Sequence, residues 1–191
     1  MDLVPTPSQT IGPFFHLSLT TAQRCVPCIA GPQAKGERVW LSCRVFDGEG
    51  APVNDSMIEI WQADADGRYN SPEDPNGKAA GPGLLGFGRL ATGEDGSCEF
   101  ETIKPGRVTG PGNVLQAPHL ELAVFARGML KQLYTRIYFA GDPANQHDPV
   151  LALVPQERRE TLMAHLDSAR AGAWRFDIHL QGPQETVFFD V

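Results

Sequence analysis

The sequence has 191 residues, enough for one substantial core and few for two, and a formal net charge of -7 spread along the chain. That balance argues against nucleic acid or an anionic membrane surface as the principal partner. No stretch is long and apolar enough to span a bilayer, and residues 1–12 show no basic segment followed by an apolar run. The expectation is a soluble, cytoplasmic protein.

The chain opens with a Pro- and Gly-containing arm, and residues 31–36 form a loop without periodicity. Within the arm, Cys25 and Cys28 make a CxxC. No second CxxC, no nearby His-x-x-x-His and no βαβ pattern surround it, so neither a zinc site nor a redox pair has its usual context.

From residue 39 onward, period-two alternation dominates. In 39–45 the odd positions Val39, Leu41, Cys43 and Val45 are apolar, which predicts a half-buried strand. Residues 57–61 form a denser apolar run around Glu59, and 98–101, 119–125, 133–139 and 174–180 alternate again. Cys43 and Cys98 fall on the apolar side of their strands and read as small core residues. Turn signals separate these runs, among them Asp47-Gly48, Asp66-Gly67, Asp95-Gly96 and Lys104-Pro105-Gly106. Residues 71–88 lack periodicity and predict a long surface loop. Behind Pro155, residues 156–166 place Leu162, Met163 and Leu166 on one side of a charged surface and predict a helix. The expected fold is all-β: an antiparallel β-sandwich with long loops and one short helix. It forms a single domain over 1–191, with 1–37 as an N-terminal arm and loop.

Candidate chemistry begins at His119, which shares a strand face with Glu121 two residues on. Such a pair can reach one metal, or can be a structural hydrogen-bonding pair. The segment Asp64-Ala65-Asp66-Gly67 has the beginning of a calcium loop without its later ligands, and reads as a turn before Tyr69.

The run LSCRVFDGEGAPVNDSMIEIWQADADGRY over 41–69 resembles the signature segment of the intradiol ring-cleavage dioxygenases. Cys43 departs from it at a position where Gly is preferred. The likeness continues through Phe87-Gly88-Arg89, through 100–106 and through Pro118-His119-Leu120-Glu121, and covers most of the chain.

Members of that family hold Fe(III) with two Tyr and two His. The resemblance places the first Tyr at Tyr69 and the first His at His119. It places the second Tyr at Val108, which has no donor atom, and the second His at Glu121. A basic residue expected three positions before the first His is Gln116. Half the ligand set is therefore missing, and Tyr69, Val108, His119 and Glu121 read as vestigial ligand positions, with no metal and no catalytic residue on this chain alone. An alternative is a self-sufficient metalloenzyme built on Tyr69, His119 and Glu121.

Some members pair two homologous chains, only one with a working site. Residues 6–15 and 185–190, with Phe125-Ala126-Arg127-Gly128 and Thr135-Arg136-Ile137-Tyr138-Phe139, resemble the chain that lacks it. The resemblance implies a homologous iron-bearing partner in a higher oligomer, with protocatechuate and O2 as substrates. It also implies a share in the partner's pocket for Arg136, Thr10, Gly12 and Pro13. Arg136 would bind the ring carboxylate, and Gly12 and Pro13 suit a rigid rim. A purely structural subunit is the rival reading.

Overall fold

The computed structural model describes residues 15–74 and 80–190. Thr10, Gly12 and Pro13 lie outside them. A four-residue helix α1 (Phe15–Ser18) precedes strands β1 (Arg38–Phe46), β2 (Met57–Trp61), β3 (Phe87–Ala91), β4 (Ser97–Ile103), β5 (His119–Phe125), β6 (Leu133–Phe139), β7 (Met163–Leu166) and β8 (Ala173–His179). Among the described residues no helix is long and apolar enough to cross a membrane.

The strands form one eight-stranded sheet in the order β3-β2-β5-β6-β7-β8-β1-β4. Alternation decides which side of each strand faces inward. Val39, Leu41, Cys43 and Val45 of β1 are fully buried. They pack with Ile58 and Ile60 of β2, Leu120, Leu122 and Val124 of β5, and Trp174, Phe176 and Ile178 of β8. Each fully buried aliphatic side chain contributes about 1.5–3 kcal/mol relative to exposure.

The fold is mostly β, as expected, but the pairing is not wholly antiparallel. β1 runs parallel to β8, and β6 parallel to β7. The helix expected over 156–166 is also corrected. Residues Gln156–Leu162 form 3-10 turns, and the chain then extends into β7. Pairing decides this: Met163 and Ala164 lie beside Tyr138 and Phe139 of β6, the end of its outer edge that nothing else pairs among the described residues. Among the described residues the one α-helix is α1. Likewise the loop expected over 71–88 ends two residues early, because Phe87 pairs with Trp61 and opens β3.

A short segment of the arm closes the two ends of the sheet on each other. Val26 bridges to Arg89 of β3 and Cys28 to Glu101 of β4. Between them the Ile29 N–H donates to the Glu101 carbonyl at 2.8 Å, and its side chain is fully buried in the core. Gly88 makes room, because a Cβ there would meet Ile29 Cγ1 at 2.7 Å. At the other end of the chain the tail lies along β6. The Phe189 N–H donates to the Tyr134 carbonyl at 2.8 Å, and the Thr135 hydroxyl to the Val187 carbonyl at 2.7 Å.

Cys43 and Cys98 sit opposite each other across β1 and β4, Cys43 in the core and Cys98 half-buried against it. All four cysteines are free. Those of the CxxC are half-buried, each donating its thiol to a backbone carbonyl, Cys25 to Thr20 and Cys28 to Ala30.

Candidate functional site

Two crossing loops and one strand pair build the site. The first loop turns on Asp64, whose Oδ1 accepts the N–H groups of Asp66 and Arg68 at 2.9 Å each. Its Oδ2 accepts the Gly81 N–H at 2.8 Å. This carboxylate is spent on organising a turn, which agrees with the sequence reading. The loop lies directly against residues 106–108. Gly67 has φ +77°, and a Cβ on it would fall 2.0 Å from the Arg107 carbonyl oxygen. Gly106 donates its N–H to the Asp64 carbonyl at 2.8 Å. Only glycines allow this approach, and it brings Tyr69 and Val108 to the same end of the sheet. The Tyr69 ring then stacks on Trp61 at 6.3 Å and 7°, and its N–H is bound by the Asp74 carboxylate.

The strand pair supplies the rest. β5 and β6 align His119 with Tyr138 and Glu121 with Arg136. His119 is 4% exposed, and its Nδ1 lies 2.8 Å from the Ala117 carbonyl. A carbonyl only accepts, so Nδ1 carries a hydrogen. The other ring nitrogen, Nε2, makes no hydrogen bond, although Glu121 Oε1 is 3.4 Å away. The same Oε1 is 2.7 Å from Arg136 Nη2, and Arg136 Nη1 donates to Gln116 Oε1 at 2.6 Å. The Gln116 N–H in turn donates to the Val108 carbonyl at 2.9 Å. Buried Asp148 braces the start of β5, accepting from the Ala117 N–H at 2.7 Å and the Tyr138 hydroxyl at 3.1 Å.

The charges are set by this packing. Burial opposes ionisation of Glu121, yet contact with His119 and the Arg136 guanidinium outweighs it and holds the carboxyl below its ordinary range. Burial also opposes the Arg136 charge, and Glu121 and Tyr138 overcome that and raise its pKa. Burial first, and the Glu121 charge second, push the Tyr69 phenol up to about 12.

Tyr69, Val108, His119, Glu121 and Arg136, separated by up to 67 positions in the chain, thus converge. They do not fit a ferric ion. Val108 is 5% exposed and offers only methyl groups. Glu121 is bound to a cation already. His119 Nε2 is buried without a hydrogen-bond partner. Among the described residues no group of three or more His, Cys, Asp and Glu is placed to hold a metal. Sequence reasoning missed the Glu121–Arg136 pair, the Trp61 platform and the Asp148 brace. The pair had a signal in opposite charges on two alternating strands, but its register had none.

A family model described as a dioxygenase matches residues 11–182. The chain belongs to the intradiol dioxygenase family. The alpha chain of protocatechuate 3,4-dioxygenase from Burkholderia cepacia is 45% identical to it, over 99% of this chain and 98% of the relative. The beta chain of the same enzyme and organism is 35% identical over 79% of this chain and 67% of that one. Among solved structures, the dioxygenase domain of a carbohydrate-binding fusion protein from Streptomyces sp. SirexAA-E matches with a TM-score of 0.62. It is 28% identical and is covered over 99% of its length, against 94% of this chain. Within the intradiol family, then, this chain is similar end to end to an alpha chain, and to a beta chain over a shorter span.

Proposed function

We propose that this chain is the alpha, non-iron-binding subunit of a cytoplasmic protocatechuate 3,4-dioxygenase. It works with a homologous beta subunit that holds the Fe(III), in a higher oligomer of paired chains. Together they cleave protocatechuate between its two hydroxylated carbons, inserting both atoms of O2 and yielding 3-carboxy-cis,cis-muconate. The observation that carries this reading is a family ligand position, Glu121, bound to Arg136 at 2.7 Å rather than open to a metal, in a chain similar throughout to alpha chains.

In this reading the alpha chain lends substrate contacts to the partner's pocket. Arg136 is the carboxylate-binding group. Glu121 and Gln116 hold its guanidinium flat, and its side chain keeps 18% exposure through which an anion can be met. Thr10, Gly12 and Pro13 of the arm form the rim. A second reading, a purely structural subunit, draws support from the same geometry, since both terminal nitrogens of Arg136 are already engaged.

The test is co-expression with the homologous subunit, followed by metal analysis of each separated chain. Iron is expected on the partner alone, and ring cleavage only in the mixture. Stoichiometric iron on this chain, or cleavage by this chain alone, would overturn the proposal.

A further inference from the structure

Two donor atoms in this site face each other with nothing between them. His119 Nε2 is buried and has no hydrogen-bond partner, while the Nδ1 of the same ring lies 2.8 Å from the Ala117 carbonyl. Glu121 Oε1 is 3.4 Å from it. A metal ion bound tetrahedrally at about 2.0–2.2 Å from each of two ligand atoms holds those atoms about 3.4 Å apart. The pair is therefore spaced as the edge of a metal site, on rigid neighbouring positions of one strand. Yet the cation in contact with Glu121 is a side chain: the Arg136 guanidinium, 2.7 Å from the same Oε1 and anchored on its other arm by Gln116.

We infer that the Arg136 guanidinium takes the place of a metal cation in this site, and that its charge keeps divalent metal ions off the His119 Nε2 and Glu121 Oε1 pair. The guanidinium neutralises the carboxylate, so burial of Glu121 needs no ion. It also repels a second cation at a distance of a few ångströms, in surroundings where such repulsion is only partly screened. Gln116 is neutral, so it anchors the guanidinium without competing for its charge. Asp148 does not draw Arg136 away, because its oxygens are taken by backbone N–H groups and the Tyr138 hydroxyl. The inference does not rest on Arg136 binding substrate. Its consequence for a two-chain assembly is that metal goes to the partner's donors and not to this site.

Cobalt(II) is the probe, because its visible absorption reports low-coordinate binding. The full-length chain is titrated, with the homologous subunit present where association requires it, and metal is counted above that of the wild-type assembly. Arg136→Met and Arg136→Gln remove the charge, the second keeping a hydrogen-bonding amide to preserve the fold. Each is expected to bind one cobalt per chain at least about tenfold more tightly than wild type. Arg136→Lys keeps the charge and should bind no more than wild type. Adding Glu121→Gln to Arg136→Met should abolish the new site. The inference is overturned if the folded neutral variants bind no better than wild type. Survival of binding in the double variant, or binding by Arg136→Lys as tight as that of the neutral variants, overturns it as well.

Discussion

Glu121 and Arg136 stand opposite each other on β5 and β6, with carboxylate and guanidinium 2.7 Å apart. Around this pair lie the other positions at which the family holds its metal, and none of them completes a donor set for iron. The pair converts a place for a bound ion into a place for a fixed side-chain cation. A guanidinium held on two arms loses little further freedom when it meets a planar carboxylate, which is the physical basis for giving Arg136 a share in substrate recognition.

Replacing Arg136 by Ala should therefore weaken use of the carboxylated substrate. A charge-assisted hydrogen bond contributes about 1.5–3 kcal/mol, so kcat/KM should fall roughly ten- to a hundredfold. The contact is remote from the bond being broken, and most of the loss should appear in KM. Iron held by the partner subunit should not change, and plain catechol, which has no carboxylate, should be turned over almost as before. Arg136→Lys should recover only part of the loss, because an ammonium lacks the planar fork. Steady-state kinetics on both substrates at matched iron content provide the check. Equal losses on both would make Arg136 structural.

The Tyr69 phenol provides a signature in alkaline solution. The unfolded phenol ionises near about 10, and the folded one is pushed up to about 12. The folded state thus holds its proton more tightly. The stability this contributes is fully present below the unfolded value and is lost as pH rises towards the folded one. Ultraviolet difference titration of the chain, which has three tyrosines, should show two late phenols, because burial also raises that of Tyr138, and Tyr69→Phe should remove one of them. The incomplete donor set, with Val108 apolar and Glu121 bound to Arg136, predicts separately that the chain alone, mixed with ferric iron, gives no phenolate charge-transfer colour. A colour removed by Tyr69→Phe would contradict it.

Gly67→Ala should damage the fold and the site together. The new methyl would meet the Arg107 carbonyl oxygen at 2.0 Å, in a backbone conformation with φ +77° that side chains seldom adopt. Strain and overpacking of this kind cost about 2–5 kcal/mol. Urea unfolding of the complex should show the loss, while Gly50→Ala, where nothing lies within 4 Å of the new Cβ, should cost far less. Similar midpoints for the two variants would mean that the crossing of the loops carries no load.

The alternation of apolar residues in β1, β5 and β6 determined which faces are buried, because side chains on a strand point alternately to its two sides whatever the strand's neighbours are. The identity of Val108 likewise determined that the two-Tyr, two-His set could not be completed, since donor chemistry belongs to the side chain. Local pattern misread 156–166, where charged and apolar residues at helical spacing were overruled by pairing with the end of β6. It was also silent on the parallel pairing of β1 with β8, on the clasp of Ile29 between β3 and β4, and on the crossing of Gly67 over Arg107. Each of these joins residues distant in the chain through geometry that no short window contains. The partnership of Glu121 with Arg136 is of the same kind: the chain supplied two opposite charges, and only the register of two strands set them 2.7 Å apart.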